Sequence, residues 1–225
     1  MGIKTVVYMA TRNMYRDLVP AVNSVAVNGN IDKVYMLIED DIFPYPLPDI
    51  VEVRNVSDQK YFDPSGPNYN CHWTYMVMMK AALHREFPEL DKILILDVDT
   101  IVNHDISELW DIDLSDYYLA AVTERWKSEL REYFNLGVAF LNLDKLRDGK
   151  GDEMIAALNA RSYGFVEQDC YNEKCRNKIY ELDPTYNSNN FTRVLPDPKI
   201  THFAGFPSRI YNKWPVVQKY MIGLD

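Results

Sequence analysis

The chain has 225 residues, 47% of them apolar, enough for one large domain or two small ones with a substantial core. Its net charge of −9 and pI near 5 argue against a nucleic-acid surface, which needs a basic face, so any anionic ligand must be met by a local cluster of donors. No apolar run reaches the about eighteen residues of a membrane span and the N-terminus lacks the pattern of a secretory leader, so the expectation is a cytoplasmic protein without direct membrane insertion.

The first half alternates strand and helix. Residues 4–10 (KTVVYMA) predict a strand, 15–28 a helix, and 33–39 (KVYMLIE) and 51–56 (VEVRNV) two further strands, by β-branched content and length. From Asp58 to Asn70 (DQKYFDPSGPNYN) the chain is rich in Pro, Gly, Asn and Tyr and reads as a long surface loop, a lid, binding surface or disordered stretch. A helix over 73–87 and a strand over 92–97 (KILILD) follow. Such alternation implies an α/β fold with a mostly parallel sheet, which binds ligands at the carboxyl ends of its strands.

Shorter strands are expected at 118–123, 138–143, 178–182 and 200–205, with helices at 152–160 and 167–176. No Gly/Ser/Thr-rich joint interrupts the chain, so residues 1–225 are expected to form a single domain. Cys71, Cys170 and Cys175 are odd in number and lack zinc-site spacing, which predicts free thiols.

The chemistry concentrates after the 92–97 strand. Asp97 and Asp99 close an apolar run (ILILDVD), where an unpaired carboxylate would be costly to bury. On an ideal strand, residues i and i+2 share a face, so both could meet one hard divalent cation; a turn or helix-cap role is the alternative. Haloacid-dehalogenase-type phosphatases and nucleotide-sugar glycosyltransferases both place Asp-x-Asp after such a strand. The phosphatase motif opens its domain, whereas here about ninety residues of α/β pattern precede it.

Downstream motifs favour the second class. "LDKILILDVDTIVNHDISELWDIDL", "YFNLGVAFLNLDKLR" (133–147), "EQDCYN" (167–172), "LDPTYNSN" (182–189) and "ITHFAG" (200–205) occur in one order. Together they resemble glycosyltransferase family 8, which includes glycogenin and bacterial lipopolysaccharide galactosyltransferases. The resemblance implies a single GT-A (Rossmann-like) domain, with 1–100 as its nucleotide-binding half and 101–225 as its sugar and acceptor half.

The resemblance also implies site residues. Asp97, Asp99 and His202 would ligate the metal, and a mixed oxygen and nitrogen set suits Mn²⁺ better than Mg²⁺. Around "YMATRNMY", Ala10, Thr11 and Asn13 would hold the uridine and Tyr15 would stack on uracil, while Asn13 also suits a helix cap. Val98 and Gly205 complete the nucleotide-binding set. Lys80 is the lone charge in "WTYMVMMKAAL"; it either snorkels to solvent or approaches the donor sugar or diphosphate, as a basic residue at this place does in the family. Glu124, Asn135, Gly137, Glu167, Gln168 and Asp169 would line the sugar pocket, where carboxylates and amides pair with vicinal hydroxyls and a glycine admits close approach.

Two positions depart from the family. Glu167 stands where the family has Asp, which leaves the donor sugar undecided, and Ser208 stands at the lysine that neutralises the leaving diphosphate, so Arg209 or Lys213 must supply that charge.

The function implied is retaining transfer of a hexose, glucose or galactose, from a UDP-sugar donor to a glycan or protein acceptor. Gln168 is a poor nucleophile, which favours same-face attack by the acceptor; a covalent route through Glu167 or Asp169 stays open. The chain ends in KYMIGLD, without the basic, aromatic tail of the family's membrane-associating members. A phosphatase and an inactive nucleotide-sugar-binding module are the competing readings.

Overall fold

The computed structural model describes residues 2–125 and 132–224. Strands β1 (Thr5–Met9), β2 (Lys33–Ile38), β3 (Val51–Asn55) and β4 (Lys92–Leu96) lie parallel in the order β3-β2-β1-β4. After the short β5 (Thr100–Val102) come β6 (Leu119–Thr123), β7 (Phe134–Asn142), β8 (Ile179–Glu181) and β9 (Ile200–His202). The sheet continues from β4 through antiparallel β7 to β6 and then β8, which runs parallel to β6. Only β7 opposes the other six strands of this sheet, so it is mostly parallel, as expected.

Helices cover both faces: α1 (Tyr15–Asn28), α2 (Leu83–Glu86), α3 (Leu143–Lys145), α4 (Gly151–Ala160), α5 (Val166–Lys174), α6 (Ser208–Tyr211) and α7 (Pro215–Gln218). Alternate strand residues divide between the faces. Val6, Tyr8, Leu94 and Leu96 pack under α1, while Val7, Ile93 and Ile95 pack against the segments around Met78, Met154 and Tyr171. Burial on both faces explains why β1, β2 and β4 read in the sequence as nearly continuous apolar runs.

Several elements differ from the sequence reading, among them the short strand β5, which it did not contain. The helix expected over 73–87 is a 3₁₀ helix, Tyr75–Ala82, that becomes α-helical only at Leu83–Glu86. β7 begins four residues earlier than expected, at Phe134 rather than 138. The Asp58–Asn70 segment does not stand off as a free lid. Phe62 enters the core, and buried Asn68 donates to the carbonyls of Leu158 (2.6 Å) and Arg161 (2.8 Å), strapping the loop to α4.

The three thiols are free, as expected. Burial pushes Cys170 up to about 11 and Cys175 up to about 12, which keeps both protonated and inert at neutral pH.

Candidate active site

The aspartate pair lies on a turn rather than on the strand. β4 ends at Leu96; Thr100 then donates to the Asp97 carbonyl from both its backbone N (3.2 Å) and Oγ1 (2.7 Å), reversing the chain into β5. The i, i+2 geometry expected of a strand therefore does not apply, and the turn is what gathers the carboxylates. β5 pairs antiparallel with β9, setting Thr100 opposite His202. Asp97, Asp99 and His202 thereby present ligand atoms within 4.8 Å of one another.

His202 is oriented for that role. Its Nδ1 donates to Asn187 Oδ1 (2.8 Å), which leaves Nε2 facing Asp99 Oδ1 at 3.2 Å. Burial opposes charge on both partners, yet each favours the charged form of the other, lowering Asp99 and raising His202. Two carboxylates and an imidazole nitrogen at this spacing are a donor set that fits a divalent ion such as Mn²⁺.

Gly137 sits under the imidazole. A Cβ there would fall 2.0 Å from His202 Cε1, so the space expected for a ligand belongs to His202. The glycine lies in a bulge of β7, where pairing with β6 jumps from Ala121–Ala139 to Val122–Asn135. That bulge turns the Leu136 backbone toward the site: its N–H donates to Gln168 Oε1 (2.9 Å) and its carbonyl accepts from Lys80 Nζ (3.1 Å).

Lys80 does not reach solvent. It is 4% exposed, and its Nζ meets Asp97 Oδ1 at 2.8 Å and Glu167 Oε1 at 2.9 Å. Burial alone would lower its pKa, but the two carboxylates outweigh that and raise it, so the ammonium stays charged. Burial also raises Glu167, the more enclosed of the two acids, against the pull of Lys80. Glu167 thus reaches from α5 to this lysine.

A buried hydrogen-bond chain links the sugar-pocket candidates to His202. Asn135 Nδ2 donates to Glu124 Oε1 (2.7 Å), Asn187 Nδ2 donates to Asn135 Oδ1 (2.8 Å), and Asn187 Oδ1 accepts from His202. Gln168 Nε2 donates to Glu124 Oε1 (3.2 Å) and Tyr133 Oη (3.1 Å). Asp169 is occupied structurally: it accepts from Tyr133 Oη (2.6 Å) and from the Phe165 N–H (2.8 Å) at the start of α5. Asn187 and Tyr133 were given no role from sequence; the only signal was their place within the quoted 182–189 and 133–147 stretches.

The nucleotide candidates occupy the same carboxyl edge. Ala10 and Thr11 follow β1, Val98 follows β4, and all three are buried, while Asn13 is exposed and accepts from Thr11 Oγ1 (2.5 Å). Asn13 caps no helix, since the residue before α1 is Met14. Tyr15 is drawn into the wall: its ring packs on Phe43 and its hydroxyl donates to Asp40 Oδ2 (2.9 Å). Glu39, unmarked in the sequence reading, ties this edge together by accepting from the Arg12 N–H (2.9 Å) and Tyr75 Oη (3.2 Å).

Beyond β9, Gly205 takes a left-handed turn (φ 80°) into α6, which leaves Arg209 and Lys213 exposed. Neither pairs with a described acidic residue. Asn212 Nδ2, on the turn after α6, donates to Asp17 Oδ1 of α1 (2.6 Å), and burial raises that carboxyl. α6 is thus fastened beside the start of α1.

The model of glycosyl transferase family 8 matches residues 44–205, a span that contains Lys80, the aspartate turn, Gln168 and His202. The chain belongs to glycosyl transferase family 8. This family 8 chain is 27% identical to a putative glycosyltransferase of Haemophilus influenzae over 156 residues, 58% of this chain and 47% of that protein. It is 26% identical to the lipopolysaccharide 1,2-glucosyltransferase of Escherichia coli over 168 residues, 60% of this chain and 49% of that protein. It therefore spans about half the length of these curated relatives.

The structure of the galactosyltransferase LgtC in complex with donor and acceptor sugar analogues matches with a TM-score of 0.72 at 18% identity, covering 96% of this chain and 95% of that one. The fold of the family 8 chain is accordingly GT-A. Nothing in these likenesses favours the phosphatase reading. Among the described residues, no helix is long and apolar enough to cross a membrane.

Proposed function

We propose that this chain moves a hexose, glucose or galactose, from a UDP-sugar to an acceptor hydroxyl with retention of anomeric configuration. The observation that carries the reading is the convergence of Asp97, Asp99 and His202 at the carboxyl edge of the sheet, with Lys80 on one side. These three residues would hold a divalent ion, Mn²⁺ in preference to Mg²⁺, which supplies positive charge to the leaving diphosphate.

The chain's own groups do the rest. Ala10, Thr11, Asn13 and Val98 receive the uridine, and Gly205 lets the chain turn close beside the diphosphate. Lys80, fixed by Asp97 and Glu167, contributes a buried cation that water cannot screen. Glu124, Asn135 and Gln168 present oriented oxygens and amides to the sugar hydroxyls.

Same-face attack by the acceptor suits this arrangement. Glu167 is held by Lys80 and Asp169 by Tyr133 and the Phe165 backbone, so both carboxylates are engaged, and Gln168 is a poor nucleophile. The acceptor hydroxyl then bonds to the anomeric carbon as the bond to the diphosphate oxygen breaks, and its proton passes to that oxygen. Arg209 or Lys213, both exposed on the segment after β9, supplies the charge that the family lysine provides where Ser208 stands.

Calorimetric titration with UDP, with and without Mn²⁺, tests the site. The wild-type protein is expected to bind with a metal-dependent component that Asp99→Asn and His202→Ala both lose. Unchanged affinity in both variants would overturn the assignment. Of Arg209→Ala and Lys213→Ala, the one that weakens UDP binding identifies the phosphate cation.

A further inference from the structure

Three buried amides behind the metal candidates point one way, and backbone groups dictate the direction. A backbone N–H can only donate, so the amide atom that meets one must be the oxygen. Asn189 Oδ1 meets the N–H groups of Phe191 (2.8 Å) and Thr192 (3.0 Å), which turns its Nδ2 toward Asn187 at 2.7 Å. The Asn187 atom that receives it is therefore Oδ1, and Asn187 Nδ2 faces Asn135 at 2.8 Å. Asn135 presents its oxygen there, as the Gly137 N–H at 3.1 Å independently requires, and sends Nδ2 to Glu124 at 2.7 Å.

The other end of the chain is His202. Asn187 Oδ1 can only accept, so the ring nitrogen it meets at 2.8 Å, Nδ1, carries the proton. Asn189 Nδ2 also lies 3.4 Å from Nδ1, but its two hydrogens are engaged by the side chain (2.7 Å) and carbonyl (3.3 Å) of Asn187. Nε2 is then the nitrogen left for an ion, and it faces Asp99 Oδ1 at 3.2 Å. The backbone keeps Asn187 beside β9: the Ser188 N–H donates to the Ile200 carbonyl and the His202 N–H to the Ser188 carbonyl, both at 3.0 Å.

We propose that Asn187 is a positioning residue for two sites at once. Its oxygen holds His202 in the one tautomer that can ligate a divalent ion, and its nitrogen holds Asn135 so that Asn135 in turn orients Glu124 for the donor sugar. This inference rests on the transferase reading above and adds to it the side chain that ties ion binding to sugar recognition.

Only an amide meets both demands. Aspartate in its place would offer two acceptors and no donor, and an apolar side chain would offer neither. Glu124, Asn135, Asn187, Asn189 and His202 are each at most 6% exposed, so water is poorly placed to replace a lost partner. Partners of this kind behind a metal-binding histidine commonly govern the affinity for the ion.

The test compares Asn187→Ala with Asn187→Asp. Alanine removes both contacts, whereas aspartate keeps an acceptor for Nδ1 and sets a second oxygen against the oxygen of Asn135. Calorimetry of Mn²⁺ binding to the UDP complex reads the ion site. The ratio of UDP affinity to UDP-glucose or UDP-galactose affinity at saturating Mn²⁺ reads the sugar pocket. Asn187→Ala is expected to bind the ion about tenfold more weakly or worse. Asn187→Asp is expected to hold the ion as the wild type does, while its affinity ratio changes about tenfold. In the wild-type protein loaded with diamagnetic Zn²⁺, the His202 Nδ1 proton, assigned by its absence in His202→Ala, is expected to exchange slowly with solvent. Wild-type ion affinity in Asn187→Ala, or an equal loss of it in both variants, would overturn the proposal, the second result leaving Asn187 a structural residue only. A slowly exchanging Nδ1 proton in a protein that binds Zn²⁺ but not UDP would keep the hold of Asn187 on His202 and reject the transferase reading.

Discussion

At residue 137 the chain needs a hydrogen where other residues carry a Cβ, because the His202 imidazole stands against that position at 2.0 Å. Gly137→Ala must push the ring away from Asp99. We expect this to cost about 1–3 kcal/mol of stability through overpacking, and to remove the metal-dependent part of UDP binding. Denaturant midpoints and UDP titration read the two effects, and an alanine variant that binds UDP like the wild type would show that His202 need not sit where it does. The sequence marked Gly137 and His202 separately, as a pocket glycine and a metal ligand. Their contact was not legible, because it depends on a bulge in β7 and on a pairing between strands about a hundred residues apart. Lys80 likewise carried two meanings on paper; only the burial of its ammonium between two acids chose one.

At the scale of elements, Lys80 fastens the Tyr75–Ala82 helix to α5 and to the aspartate turn. Replacing it by methionine leaves Asp97 and Glu167 facing one another without a cation. Breaking a buried ion pair from one side costs about 3–5 kcal/mol, and the lower figure is expected here because Asp97 keeps some contact with water. Adding Glu167→Gln to Lys80→Met should recover part of that loss without restoring UDP binding; a Lys80→Met protein with an unchanged denaturant midpoint would contradict the role. β1, β2 and β4 were readable within a residue or two, since strands buried on both faces leave continuous apolar runs. β5 was not, because three residues carry no periodicity and the strand exists through its pairing with β9. The early start of β7 was hidden by Asn135 and Gly137, residue types depleted in strands. The 3₁₀ form of Tyr75–Ala82 was equally hidden, since a short stretch that is apolar but for Lys80 fits either helix type.

Across the whole molecule, parallel β1, β2 and β4 end at one edge with their turns aligned, and the bulge in β7 and the small β5–β9 sheet add the second half of the site to that edge. Five ordered motifs were enough to read the family and the fold class from the sequence. The polar chain through Glu124, Asn135, Asn187 and His202 needed the structure, because hydrogen bonding between distant segments leaves no local pattern. The central claim is that these parts together transfer a hexose. The most direct measurement is UDP release from a panel of UDP-sugars with Mn²⁺, with and without a mixture of glycan acceptors, with Asp99→Asn alongside. The account predicts release from UDP-glucose or UDP-galactose that the variant abolishes. Release that persists undiminished in Asp99→Asn, or none from any UDP-sugar, would contradict it.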